Sequence, residues 1–256
     1  MGKKTRTKRD QQIHDLEDTL NNNLLAITEG PTRKKRWSIH DLKQIKPLTY
    51  AQELMMRGYI EGNHIIASGS AGTGKTLVAL YLALNDILSK ETPRNKMVIV
   101  RSIVPTRDMG FLKGTEEEKM EPYEAPYVDI FNFLLGKNNS YENMKEANLI
   151  KFAPTSFLRG VTWDNAVIIL DESQNYNWEE INTCLTRVGD NSQIITIGDT
   201  KQNDLYRSKY DTSGFDKFLA ISANMKSFDH VQFTRSDIVR SPFVKEWICA
   251  VEDYQD

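Results

Sequence analysis

One eight-residue segment constrains this chain more than any other: Gly69-Ser70-Ala71-Gly72-Thr73-Gly74-Lys75-Thr76. It satisfies in full the pattern of a glycine, four free positions, then Gly-Lys and Ser or Thr. The short apolar run His64-Ile65-Ile66-Ala67-Ser68 precedes it, and the Leu-, Val- and Ala-rich segment Thr76 to Leu88 follows it. Strand, glycine loop and helix is the order such a loop needs. The glycines let the backbone curl until successive N–H groups face inward at phosphate oxygens. The helix beginning near Lys75 presents the positive end of its dipole to the same anion. Lys75 can then reach the β- and γ-phosphates, and the Thr76 hydroxyl can ligate Mg²⁺. Gly69, Ser70, Ala71, Gly72, Thr73, Gly74, Lys75 and Thr76 are therefore the candidate nucleotide-binding residues.

The rest of the chain supplies a fold for that loop. Apolar β-type runs recur at Met97-Val98-Ile99-Val100, Leu149-Ile150-Lys151-Phe152, Ala166-Val167-Ile168-Ile169-Leu170, Gln193-Ile194-Ile195-Thr196-Ile197 and His230-Val231-Gln232-Phe233. Helical patterns fall at Trp178 to Val188 and from about Pro242 onward. Strands that alternate with helices predict an α/β fold, a mostly parallel sheet with helices on both faces.

Composition excludes other classes. Of 256 residues 39% are hydrophobic and 27% charged, which suits a soluble chain with a sizeable core. No apolar run approaches the ~20 residues of a spanning helix. Cys184 and Cys249 cannot build a disulfide scaffold or a metal cluster. The basic N-terminus lacks an apolar stretch behind it, so no signal peptide is read, and a cytoplasmic location without membrane contact is expected. Residues 1–46 carry 11 Lys+Arg against 6 Asp+Glu, net +5, while the remainder carries 22 against 29, net −7. Asn21-Asn22-Asn23 and Glu29-Gly30-Pro31 break any long helix there. The expected organisation is a basic, partly flexible N-terminal extension over 1–46 and one domain over 47–256.

A phosphate loop needs an acidic strand end beside it. Val167-Ile168-Ile169-Leu170 carries a strand through the sheet, and Asp171-Glu172 emerges at its C-terminal end, where ligands bind in open α/β sheets. Asp171 is the candidate metal residue, ordering Mg²⁺ through water. Glu172 is the candidate general base for an attacking water. Gln202, in Gly198-Asp199-Thr200-Lys201-Gln202 after another strand, is a candidate γ-phosphate sensor.

With these pieces in order the chain resembles the PhoH family of P-loop ATPases, over roughly Leu48 to Ala250. The resemblance rests on Val100-Arg101-Ser102-Ile103-Val104-Pro105, Gly110-Phe111-Leu112-Lys113-Gly114 and Glu118-Lys119-Met120-Glu121-Pro122-Tyr123. It rests further on Leu158-Arg159-Gly160-Val161-Thr162, Leu170-Asp171-Glu172-Ser173-Gln174-Asn175, Leu185-Thr186-Arg187-Val188-Gly189 and Asp237-Ile238-Val239-Arg240-Ser241-Pro242. The family resembles superfamily-1 helicases reduced to one RecA-like core. The resemblance implies ATP hydrolysis with ATP and Mg²⁺, coupled to RNA or single-stranded DNA. It also implies that Gln52, in Thr49-Tyr50-Ala51-Gln52, reads adenine.

Phosphoryl transfer gains from a cation against transition-state charge. A chain with one core uses an arginine in cis or borrows one from a neighbour. Arg240 and Arg187, with Arg207, are the candidates, and a homo-oligomer, a hexameric ring with a shared ATP site, is the expected assembly. Arg101, Arg107, Lys113 and Arg159 with Phe111 and Trp163 form a basic and aromatic set for a single strand. Two other readings stand beside this one. An ATP-driven assembly or signalling module without nucleic acid suits the net charge of −7, and a small-molecule kinase suits the loop alone.

Overall fold

The runs read as strands above are six parallel strands. In the computed structural model, residues 37–103, 116–158, 160–199 and 213–255 are described. Arg107, Phe111, Lys113, Arg159, Gln202, Arg207 and the extension over residues 1–36 lie outside them. The strands are β1 (His64–Gly69), β2 (Lys96–Arg101), β3 (Ile150–Pro154), β4 (Ala166–Asp171), β5 (Gln193–Gly198) and β6 (Phe228–Phe233). They hydrogen-bond in the order β3-β2-β4-β5-β1-β6, every pair parallel. A fully parallel sheet is covered on both faces, which is why its strands read as continuous apolar runs.

The helices are α1 (Tyr50–Ile60), α2 (Lys75–Ser89), α3 (Glu116–Leu135), α4 (Ser140–Glu146), α5 (Trp178–Leu185), α6 (Phe215–Ser222) and α7 (Pro242–Gln255). Strand side chains alternate between two cores, as period-two geometry requires. Ile65, Ala67, Met97, Ile99, Val167 and Ile169 pack with residues of α1, α2, α3 and α4. Ile66, Val98, Val100, Ile168, Leu170 and Ile194 pack with residues of α5 and α6 on the opposite face. Helix α2 buries Val78, Leu80, Leu82, Leu84 and Ile87, residues from all around its circumference, and so is a central helix. The fold class expected from the sequence is the one observed.

Four helices, α1, α3, α4 and α6, and one segment differ from expectation. Helix α3 carries Pro122 and Pro126 inside it, each without a backbone donor, and no helix was expected there. Its buried Tyr127, Phe131, Leu134 and Leu135 recur at helical spacing and hold it on the sheet. The segment 37–46, read as part of the extension, packs on the core. Trp37 and Leu42 are buried, and the Lys43 N–H donates to the Leu134 carbonyl at 2.7 Å. Among the described residues no helix is long and apolar enough to cross a membrane.

Register sets the site. Ser68 pairs with Gly198, Gly69 with Phe233, Leu170 with Thr196, and Arg101 with Asp171. The C-terminal ends of β1, β2, β4 and β5 therefore open on one edge of the sheet, where the glycine loop begins.

Candidate nucleotide site

The loop between β1 and α2 depends on glycine where the chain turns. Gly69 has φ +113°, and a Cβ there would lie 1.9 Å from the Phe233 carbonyl oxygen. No other residue fits that approach to β6. Gly74, at φ +79°, caps α2 at its N-terminus, so the first helical N–H groups face the loop. Lys75 follows it, 8% exposed. Its Nζ donates to the Gly69 carbonyl at 2.8 Å, the Ser70 carbonyl at 2.7 Å and the Thr73 hydroxyl at 3.2 Å. Burial lowers the Lys75 pKa, while Asp199, Glu172 and Asp171 pull it back up. The ammonium is thus held at the mouth of the loop by neutral oxygens, in the field of four carboxylates, Asp199, Glu172, Asp171 and Glu252. An anionic phosphate would improve that environment.

Asp171 ends β4 at 3% exposure. The Thr76 hydroxyl donates to its Oδ1 at 3.2 Å, and the Tyr127 hydroxyl donates to its Oδ2 at 2.8 Å. Burial raises its pKa and the adjacent Glu172 adds to the rise, while Arg101, Tyr127 and Thr76 oppose it. Tyr127 is itself held neutral, its pKa raised by burial first and then by Asp171. Arg101, paired with Asp171 across the β2–β4 register, has its pKa lowered by burial and raised by Tyr127, Asp171 and Glu172, the net shift being upward. Thr76 and Asp171 thus present two hard oxygens to one point beside the loop. Among the described residues no cluster of three or more His, Cys, Asp or Glu forms a cage. That donor set fits Mg²⁺, which keeps waters and phosphate oxygens in its shell and takes only one or two protein ligands.

These groups wall a cavity of about 420 Å³, lined by the loop, Asp171, Glu172, Gln174, Asp199 and Arg240 among others. Small-molecule sites run ~300–1,000 Å³. Every expected loop residue from Ala71 to Thr76 lines it, and Gly69 and Ser70 stand behind, holding Lys75.

Other expected residues fall in different places. Gln52, buried at 4% in α1, has both amide ends engaged. It donates to the Thr73 carbonyl at 2.9 Å and accepts from the Leu48 N–H at 2.8 Å. It braces the loop from behind and is not among the residues that line the cavity. Arg240 lines the cavity of its own chain. The neighbouring Val239 N–H donates to the Gly72 carbonyl at 3.1 Å, and a Cβ on Gly72 would lie 3.0 Å from Arg240 Cγ. Arg240 was expected as a residue that one subunit supplies to the next; within a single chain it already stands in the cavity wall. Arg187 lies at the far end of the sheet, its carbonyl accepting from the N–H of Trp163, just before β4 begins.

The expected strand-binding set also divides. Trp163 is 3% exposed and packs in the second core, so its ring offers no face to a base. Arg101 is half-buried and stands opposite Asp171 in the β2–β4 register. Tyr127, Gln174 and Asp199 belong to the site and were not among its expected residues.

A parallel sheet with this loop at the C-terminal end of β1 and an acidic pair at the end of β4, one strand removed, defines the RecA-like P-loop ATPase fold. Residues 44–252 match the family of PhoH-like proteins, and the chain belongs to that family. A PhoH-like protein of Bacillus subtilis is 32% identical over 215 residues, 82% of this chain and 65% of that protein. Protein PhoH of Escherichia coli K12 is 35% identical over 179 residues, 69% of this chain and 49% of its own length. The chain thus spans about half to just under two thirds of these relatives. A large terminase from a thermophilic bacteriophage shares the fold, with a TM-score of 0.50 at 13% identity over 79% of this chain and 50% of that one.

Proposed function

We propose that the chain is a Mg²⁺-dependent ATPase of the PhoH-like type whose hydrolysis is coupled to RNA or single-stranded DNA. One observation carries the ATPase reading. The phosphate loop, the Thr76–Asp171 oxygen pair and Glu172 converge on one cavity with a cation, Arg240, at its rim.

Each residue then has a part. Loop N–H groups and Lys75 bind the β- and γ-phosphates, and Lys75 exchanges neutral carbonyls for phosphate oxygens. Thr76 and Asp171 would hold Mg²⁺, which would supply neutralisation of phosphate charge. Glu172 accepts the proton of the attacking water. Arg240 faces the charge that develops on the γ-phosphate. Gln202 remains the proposed γ-phosphate sensor.

Coupling to nucleic acid draws on the helicase-like motif order and on the +5 charge of residues 1–46. The −7 charge of residues 47–256 favours a second reading, an ATP-driven assembly or signalling module. A cytoplasmic hexameric ring remains part of the proposal, with Arg187 as the candidate for supply to a neighbour's site.

The test is ATP turnover with Mg²⁺, with and without single-stranded RNA or DNA, beside Lys75→Ala. Turnover abolished in a folded Lys75→Ala protein is expected, as is stimulation by a single strand. Normal turnover in that variant sinks the ATPase site. Turnover unmoved by either nucleic acid favours the second reading.

A further inference from the structure

Glu172 does not aim its own carboxylate. Its backbone has φ +54° and ψ +42°, the left-handed region, where a non-glycine residue is held by its surroundings. A short turn, Ser173–Asn175, follows, and the Ser173 hydroxyl anchors it by donating to the Leu170 carbonyl at 3.0 Å. That turn delivers Gln174, 3% exposed, into the cavity wall. Gln174 Nε2 donates to Glu172 Oε2 at 2.6 Å. Its Oε1 accepts from the Asp199 N–H, at the end of β5, at 3.0 Å.

The two partners leave no freedom in the amide. A backbone N–H demands an acceptor and a carboxylate demands a donor. Among side chains of this length only glutamine meets both demands. Glutamate would set carboxylate against carboxylate, and methionine would serve neither partner.

We propose that Gln174 is a positioning residue that sets the direction of the Glu172 carboxylate and ties it to the end of β5. The proposal rests on the ATPase reading, in which Glu172 is the base. A base must lie within hydrogen-bond reach of its water, and a misplacement of about 1 Å costs on the order of 10²-fold in rate. One side chain therefore couples the proton acceptor to the strand that forms the next wall of the cavity. Any displacement of the Asp199 N–H reaches Glu172 through it.

The test uses the full chain and a double-mutant cycle. Gln174→Met keeps length and volume but removes both hydrogen bonds. It is made in the wild-type and the Glu172→Gln backgrounds. Binding of a non-hydrolysable ATP analogue with Mg²⁺ and single-turnover and steady-state hydrolysis of ATP are measured. Analogue affinity within ~3-fold of wild type is expected, with kcat lower by ~10–100-fold and KM little changed. In the Glu172→Gln background the same substitution should cost less than ~2-fold, because the base it positions is already gone. An equal fold-loss in both backgrounds, a loss carried by KM, or turnover within twofold of wild type overturns the proposal. Gln174→Ala gives the same readings if the Met variant does not fold. Failure of the ATPase reading itself shows separately, as a wild-type protein that neither binds the analogue nor turns over ATP.

Discussion

The two ends of the sheet use the same strands for opposite purposes. At the N-terminal ends, polar groups are consumed by the fold. Gln193, 1% exposed, donates through Nε2 to the carbonyls of Tyr59 at 2.8 Å and Asn63 at 2.6 Å. His64 Nδ1 accepts from the Ile194 N–H at 3.3 Å, and the Ser192 hydroxyl donates to the Trp163 carbonyl at 2.7 Å. At the C-terminal ends, charged groups are gathered around open space. Lys75 leans on loop carbonyls, Asp171 on Thr76 and Tyr127, and Glu172 on Gln174. Buried polar groups need partners wherever they sit. At one end the partners tie elements together; at the other they hold charges ready for a ligand.

The comparison predicts that substitutions at the C-terminal ends change turnover and leave stability nearly alone, while those at the N-terminal ends do the reverse. After the loss expected of Lys75→Ala, the largest effect is expected at Arg240. Its position on its own chain's loop motivates the expectation that Arg240→Ala lowers kcat by ~10³-fold, the lower range for a transition-state arginine. Mixing that variant with Lys75→Ala protein should restore no activity, because each chain then lacks part of its own site. Recovery in the mixture would place the arginine in trans after all and bring back the shared site.

Glu172→Gln comes next. The amide keeps the size of the side chain and loses the proton acceptor, so ATP binding should persist while hydrolysis slows by ~100-fold. Its melting temperature should stay within a few degrees of wild type. Turnover near wild type would mean the proton leaves by another route.

The same contrast explains what could be read without coordinates. The four inner strands were legible as continuous apolar runs buried on both faces, and the edge strands β3 and β6 as shorter runs interrupted by exposed polar residues. The loop and Asp171-Glu172 were legible, because their chemistry is local in sequence. Helix α3 was not, since Pro122 and Pro126 are the residues that ordinarily argue against a helix. With it went Tyr127, which meets Asp171 only through the packing of α3 on the sheet. Gln174 and Asp199 join through an amide that bridges two strand ends, and nothing local marks the pair. Arg101 looked like a nucleic-acid contact because it is basic and stands near aromatics in sequence, whereas register places it against Asp171. Arg240 was recognised as a candidate, but its place beside its own chain's loop depends on the Val239–Gly72 hydrogen bond, a contact across most of the chain.

The smallest effect on turnover, and the sharpest test of the contrast, is expected at Gln193. It is the first residue of β5, and its amide reaches the end of α1 and the turn into β1. Tyr59 lies in the last turn of that helix, where carbonyls lack partners within the helix. Gln193→Ala removes a donor shared by two carbonyls and leaves a void at the sheet's N-terminal edge. Lost hydrogen bonds and the void together should cost ~2–3 kcal/mol. For a domain of this size that lowers the melting temperature by about 4–12 °C. Turnover measured at 25 °C, where the variant stays folded, should remain within ~2-fold of wild type. The cavity is at the other end of the strand, and no hydrogen bond of Gln193 reaches it. A variant that keeps its melting temperature but loses turnover would show that strain runs along β5 to Asp199. The two ends would then be one mechanical unit rather than separate ones.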